Sequence, residues 1–557
     1  MSASDTQKSI YNLPAGHEFM PALVKGLKRR FGPDLQKALI LLPTRRAVRV
    51  LGDALIGEGG ADILPRLRTL ADIDPEEPPF EPGELGLLVQ PAISATQRRF
   101  ELAKLVSRFH HATSDLPLEI DGALALVDPL LKILDDADME EVSADKISGL
   151  QEISEFAAEH FQNAAVFYDI LQKYWPSRLK ELGMMSPMAR RVAVLNALTD
   201  LWYEIPPEHP VIIAGSTGTL GATARLMKCV SGLKDGLIIL PGLDINLRQT
   251  AWDQIEADHP QGALKNLLGI LGRSHRDIPN WIDTDNDKAR ARRSLLSESL
   301  VPVGETQDWP SRIANLISQG GQKNPREDIS GGGPNASNGT FDQGLSGLSL
   351  IEAETAETEA QTIAVIFRDL LEVPGKRAAL VTPDPGLARR VRAALRRWEV
   401  EVDYSQGEPL EETASGRFIS HILDCADAVI AAFDAQAHSQ DMGLEPQRPF
   451  PNALAFAALC KHPLFAYREK AGYFREKWEM VERAGFRARR EKDKKAELEK
   501  QAGFLKHLCA AFSAFMPEGL GTEKRLNISD WARALAETAE ILAGTDSQQG
   551  ALRFMAG

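Results

Sequence analysis

One feature constrains this chain more than any other: short unbroken apolar runs, each followed at once by a helical pattern. Residues 38–43, Ala-Leu-Ile-Leu-Leu-Pro, form such a run. A run of that length without polar alternation reads as a parallel strand buried on both faces. A helix is expected from Arg45 to Ile56, because Ala47, Val50, Leu51, Ala54 and Leu55 recur at helical spacing. The same order returns at Val211-Ile-Ile-Ala214, followed by the Gly215–Gly221 stretch and a helical pattern to about Val230. A third strand is expected at Gly236–Leu240, and the start of the chain repeats the theme as a strand near Ile10, Gly16, and a helix from Met20 to Phe31. Strands alternating with helices indicate an α/β fold around a parallel sheet.

Between these strands, residues 96–204 are helical in pattern, with Phe100, Leu102, Ala103, Leu105, Val106 and Phe109 as one example. Strands resume afterwards, so this region is expected to be a helical insertion within the α/β unit. The stretch 320–346 is rich in Gly, Asn, Pro and Ser and nearly free of large apolar residues. It lacks the surface to bury a core and reads as a linker. A second α/β unit is expected beyond it, with strands at Leu348–Ala353 and Arg377–Thr382 and helices at Ala356–Leu371 and Gly386–Trp398. From about Phe418 the pattern is again helical, and it ends in a charged run, Arg487–Lys500, that reads as a solvated helix face.

Charge narrows the function classes. Lys and Arg number 64 against 78 Asp and Glu, a net charge of −14, so contact with nucleic acid has to be local rather than spread over the molecule. Cys229, Cys425, Cys460 and Cys509 lie far apart with no CxxC pair and read as buried thiols in a reducing compartment. No apolar run approaches the roughly 20 residues of a membrane span. The first thirty residues also lack a signal peptide's apolar stretch, which points to the cytoplasm.

A nucleotide-hydrolysing fold needs a glycine loop ending in Lys and Ser or Thr, which cradles and neutralises the phosphates. No GxxxxGK[ST] string occurs. At the matching place, after the first strand, Gly16 survives without the lysine or hydroxyl. Gly215, Gly218 and Gly221 form a GxxGxxG turn that could admit a phosphate or dinucleotide, but they read more simply as a strand-to-helix turn. Tyr473 and Lys477 share a reductase spacing but lie too far downstream for that fold. Basic residues cluster at two strand-to-helix junctions, Thr44-Arg45-Arg46 with Arg49, and Arg389-Arg390 with Arg392, Arg396 and Arg397. Guanidinium groups beside helix starts suit phosphate oxygens. The carboxylate pairs Asp135-Asp136, Glu140-Glu141 and Glu411-Glu412 sit in no metal frame. The adjacent His110-His111 lacks the i, i+4 spacing of a two-histidine site. Neither GxSxG nor HExxH is present.

Specific strings carry a resemblance. Ala38–Ala47 (ALILLPTRRA) resembles helicase motif Ia, and Ala378–Arg390 (AALVTPDPGLARR) resembles motif IV of superfamily 1 helicases. Further strings at Val211–Gly218, Leu240–Asp244, His259–Gln261 and Lys461–Leu464 resemble the AddB family of AddAB-type helicase-nucleases in its alphaproteobacterial form. The resemblance implies two RecA-like units with large helical insertions. Residues 1–95 and 206–319 would form the first, with 96–205 inserted and 320–346 as the linker. Residues 347–417 would start the second, and 418–557 would be its helical region. It also implies a DNA-binding subunit in double-strand break repair that partners an AddA-type motor.

The family's nuclease domain carries an iron–sulfur cluster and uses magnesium. Its carboxylates, lysine and cluster cysteines have no counterparts up to Gly557, so the expectation is a truncated product or partial gene. Departures from the family pattern are equally informative. Gly16 stands at the phosphate-loop position, and Ala214-Gly215 stands where a hydrolytic motor carries the acidic pair that holds magnesium. A helicase fold kept for binding rather than hydrolysis is therefore expected, with no catalytic residue and no metal in this chain. Thr44, Arg45, Arg46, Arg389 and Arg390 are the expected DNA contacts. The competing expectation is a nucleotide-binding transferase or reductase using the Gly215–Gly221 turn.

Overall fold

The computed structural model describes residues 9–57, 63–70, 89–113, 120–142, 174–282, 286–318, 340–405, 407, 409–441, 453–466, 512, 515 and 527–544. The chain divides into two units, Met1–Leu350 and Ile351–Gly557. It is a mixed α/β protein, mostly helical, with a parallel sheet in the first unit. The expected features at Tyr473–Lys477, Arg487–Lys500 and Cys509, and most of the 320–346 stretch, lie outside the described residues.

Five strands build the sheet: β1 (Ile10–Leu13), β2 (Leu39–Leu42), β3 (Arg66–Thr69), β4 (Val211–Ala214) and β5 (Gly236–Pro241). Their spatial order is β1-β5-β4-β2-β3 and every pairing is parallel. Side chains alternate between two cores, as the two-residue period of a strand requires. Leu39, Leu41, Val211, Ile213, Ile238 and Leu240 enter one core with the Pro187–Glu204 and Gly221–Gly232 helices. Ile40, Leu42, Ile212, Ala214, Leu237 and Ile239 enter the other with the Phe19–Phe31 and Arg45–Gly57 helices. Burial on both faces explains why β2, β4 and β5 read as unbroken apolar runs. The open edge of β1 is closed by irregular chain: Asn12 N donates to Pro279 O at 2.8 Å, and Trp281 N donates to Asn12 O at 2.7 Å.

The helical insertion contains the Ala95–Thr113 and Ile120–Met139 helices, packed through Leu102, Ala103, Val106, Ala123, Val127 and Leu130. Arg98, almost fully buried, pairs with Asp135 at 2.7 Å. Thr340–Leu345, inside the stretch that composition marks as a linker, is a short helix packed on the Asp287–Ser299 helix. Arg292 anchors it by donating to Gly344 O, and to Ser346 O at 2.8 Å. A six-residue segment with few apolar side chains thus acquires helical structure from a neighbour that composition does not reveal.

In the second unit the helices expected at Ala356–Leu371 and Gly386–Trp398 form as Ala356–Leu370 and Pro385–Arg396, around Ala360, Ala364, Leu387, Val391 and Leu395. The strands expected at Leu348–Ala353 and Arg377–Thr382 do not. Those residues, the first three of them at the end of the first unit, are irregular chain, with Leu350 88% and Val381 93% exposed, and no strand occurs among the described residues of the second unit. A parallel strand exists only when a neighbour takes up its backbone N–H and C=O groups. A second core gathers Phe418, Ile422, Phe456, Phe465, Phe512 and Phe515 around the Ala414–Asp441, Ala453–Lys461 and Ile528–Ala543 helices.

Candidate nucleic-acid interface at the carboxyl edge of the sheet

Because all five strands are parallel, the turns after β1, β2, β4 and β5 gather at one edge, where open α/β sheets bind ligands. The turn after β2 keeps its polar groups. Thr44 Oγ1 accepts a hydrogen bond from Ala47 N at 3.1 Å, closing the start of the Arg45–Gly57 helix. Arg45 and Arg46 are exposed in the first turn, which contains no acidic residue. Cations at a helix N-terminus oppose the macrodipole at a cost of about 0.3–1 kcal/mol each unless an anion is supplied from outside. Two arginines at a helix start run against that local preference, as residues of binding sites often do. Val50, placed on the inner stripe by its spacing, is instead 42% exposed, and Leu51 and Leu55 carry the burial.

The turn after β1 differs. Gly16 takes φ +89°, a backbone that only glycine adopts readily. A Cβ there would stand 3.0 Å from the Ala289 Cβ, and Arg293 Nη1 donates to Ala15 O at 2.7 Å. The Asp287–Ser299 helix therefore lies across the position where a phosphate would sit. Beside it is a cavity of about 400 Å³ bordered by Asn12, Gly242, Asp244, Gln261, Arg290 and Arg293. Most of these polar groups already brace the turns. Asn12 Oδ1 accepts from Leu243 N at 2.9 Å while its Nδ2 donates to Leu243 O at 3.0 Å. Gln261 Oε1 accepts from Asp244 N at 3.0 Å, and its Nε2 donates to Gly242 O at 3.2 Å. His259 Nδ1 accepts from Gln261 N at 3.0 Å, which leaves Nε2 to donate to Leu300 O at 2.7 Å. The His259-Pro-Gln261 string is a clamp rather than a set of reacting groups.

The Gly215–Gly221 turn is occupied from within. Gly218, at φ +64°, would place a Cβ 2.8 Å from Leu267. The Glu141 carboxylate stands beside Gly221, hydrogen-bonded by Arg225 and by Asn196 Nδ2 at 3.0 Å. The Arg225 hydrogen bond holds the Glu141 carboxyl below the usual glutamate value, against an opposing effect of burial. A carboxylate that stays charged at this helix start repels an incoming phosphate, which weighs against the nucleotide-enzyme alternative.

In the second unit, Arg389 pairs with Glu412 at 2.7 Å, and Arg390 reaches Asp384 at 3.4 Å. Asp384 also caps that helix by accepting from Gly386 N at 2.7 Å. These two arginines thus have carboxylate partners within their own unit. His462, from the Lys461–Leu464 string, is buried and accepts from Leu464 N at 3.2 Å. Cys229, Cys425 and Cys460 are buried and form no disulfide, and no cluster able to hold a metal occurs among the described residues. Magnesium-nucleotide does not fit at Gly16, where Ala289 and Arg293 take the space, and Ala214-Gly215 supplies no carboxylate. Arg293 and Glu141 escape sequence reasoning because each acts through a partner distant in the chain. No known family model matches this chain, and no curated protein matches it significantly.

Proposed function

We propose that this chain is a DNA-binding, non-hydrolysing subunit of an AddAB-type helicase-nuclease. In this role it would work in the cytoplasm beside an AddA-type motor on the ends of broken duplex DNA. The observation that carries the proposal is the contrast between two turns at one sheet edge. The turn after β2 presents Thr44, Arg45 and Arg46 outward, and the turn after β1 is covered by Ala289 and Arg293. The strand order supports a RecA-like first unit, since β5 lies between the strand of the phosphate-loop position and the strand of the lost acidic pair. The second unit is read as the start of another RecA-like unit from its two leading helices. Arg389 and Arg390 are secondary contacts, available to DNA once their carboxylate partners are displaced. Cys229, Cys425 and Cys460 are separate buried thiols and are assigned to no cluster.

The test combines turnover and binding. The purified chain should release no phosphate from ATP with magnesium and single-stranded DNA, yet should bind that DNA in a salt-dependent way. Changing Arg45 and Arg46 together to Ala should lower the slope of log affinity against log salt by about 1.4, at about 0.7 per single-strand phosphate. DNA-stimulated ATP turnover, or an unchanged slope in the double variant, would reject the proposal.

A further inference from the structure

We infer that a cavity in the helical insertion binds a small aromatic amine, a ligand with an apolar ring, a protonated nitrogen for Asp138 and a hydrogen-bond acceptor for the Trp175 indole. The cavity holds about 340 Å³ and is bordered by the Ile120–Met139 helix, the Trp175–Leu182 helix and the 184–186 segment that follows it. It shares no residue with the cavity beside β1. Its shape follows from the local sequence. Gly183 takes φ +64° and ends the Trp175–Leu182 helix, so that Met184 N donates back to Leu179 O at 3.1 Å. Met185 then bridges to the 91–93 segment: Met185 N donates to Pro91 O, and Ile93 N donates to Met185 O, both at 3.0 Å. These bonds hold both methionines at the cavity beside Leu134 and Leu179. Ile133 and Val142, also on its border, are 52% and 40% exposed.

Two polar groups on this mainly apolar wall lack what burial asks of them. Trp175 is 2% exposed, yet its Nε1 has no hydrogen-bond partner. A buried indole N–H usually finds an acceptor, and one left unpaired loses its hydration without return. Asp138 is the second group. Its carboxylate accepts from Ser186 Oγ and, among the described residues, has no other hydrogen bond and no ion-pair partner. Burial pushes this carboxyl above its usual value and outweighs the attraction of Arg98, which is itself held by Asp135 at 2.7 Å and does not border the cavity. Lys180, the cation on the border, is exposed, where water weakens its field. A gap left by loose packing would be apolar throughout. Water could meet both polar groups, but it would leave the surrounding apolar side chains hydrated. An aromatic amine answers all three needs together. Its ring covers the leucines and the methionine sulfurs, which favour aromatic neighbours. Its acceptor takes the Nε1 proton, and its ammonium gives Asp138 a charge-assisted hydrogen bond. Few polar groups among apolar walls, in a space of this size, are the ordinary makeup of a small-molecule site.

The experiment titrates the full chain with tyramine, phenethylamine and para-ethylphenol, followed by ligand-observed NMR. Phenethylamine lacks the acceptor, and para-ethylphenol lacks the amine. Tyramine should bind about fivefold more tightly than phenethylamine, the effect of one neutral hydrogen bond, and about tenfold or more above para-ethylphenol, the effect of a charge-assisted one. Asp138→Asn should erase the advantage over para-ethylphenol alone, and Trp175→Phe the advantage over phenethylamine alone. Melting curves show that each variant is folded before its binding is read. If Trp175→Phe does not fold, the three probes on the unaltered chain and on Asp138→Asn decide the matter. No binding of any probe by the unaltered chain, equal binding of all three, or an undiminished preference for the amine in Asp138→Asn would overturn the inference. The cavity includes none of the expected DNA contacts, so either result leaves the proposed function where it stands.

Discussion

Two carboxylates only three positions apart pull stability in opposite directions with pH. Asp138 accepts a hydrogen bond from Ser186 Oγ, but burial is the larger influence and pushes its carboxyl above the usual 3.8. The folded protein therefore holds this proton to higher pH than the unfolded chain does. The resulting stability is complete below about pH 3.8 and is lost as pH rises through the folded value. Glu141 behaves oppositely. Its hydrogen bond from Arg225 lowers its pKa, so its contribution is present above 4.5 and disappears as pH falls through the folded value. Asp138→Asn should consequently raise the melting temperature at about pH 7 and have little effect near pH 3.8. Melting curves across that range provide the check. An equal loss at both ends would mean that Ser186 needs a carboxylate rather than an amide oxygen. Nothing at positions 138 or 141 announced this pairing, because Ser186, Asn196 and Arg225 come from helices much later in the chain.

At the scale of elements, Asn12 holds β1 in register. Its buried side chain bonds both backbone groups of Leu243, and Nδ2 also donates to Asn280 Oδ1 at 3.2 Å, joining β1 to the turn after β5 and to the chain that closes the sheet edge. Asn12→Ala leaves two buried backbone groups without partners. It should destabilise the first unit by about 2–6 kcal/mol, at about 1–3 kcal/mol for each unsatisfied group. Denaturant unfolding measures this, and a loss well under 1 kcal/mol would mean that water replaces the side chain. The strands themselves were legible to the extent that burial left a pattern. β2, β4 and β5 are apolar throughout and were located within a residue or two, as was the Thr44-Arg45-Arg46 junction that follows β2. β3, Arg-Leu-Arg-Thr, was missed because an edge strand needs few apolar residues, and four positions are too few to establish alternation. The error at Leu348–Ala353 and Arg377–Thr382 runs the other way: apolar content suggests a strand, but only a pairing neighbour makes one.

For the whole molecule, the division at Leu350 has a direct consequence for proteolysis. Leu348 and Leu350 are 56% and 88% exposed in irregular chain at the boundary of the first unit, whereas the leucines of β2 are fully buried in a paired strand. Brief digestion with a protease that cleaves after leucine should cut at Leu348 or Leu350 before any site in the sheet, leaving a fragment that retains β1–β5. Mass spectrometry of the first products identifies the cut, and early loss of the 39–42 segment would show that the sheet opens more readily than its burial suggests. The charge distribution was only half legible at this scale. A net −14 requires any nucleic-acid contact to be local, but charge alone does not show that the Phe19–Phe31 and Arg45–Gly57 helices pack side by side. The strand order has a further consequence, for synthesis. β1 emerges first from the ribosome, yet its bonding partners, β5 and the 279–281 segment, follow much later, with Leu243 lying 231 residues beyond Asn12. At about 5–20 residues per second, the opening segment waits roughly ten to fifty seconds before it can be seated. Through that interval Ile10 and Leu13 remain open to chaperones, and the first strand made is among the last to find its place.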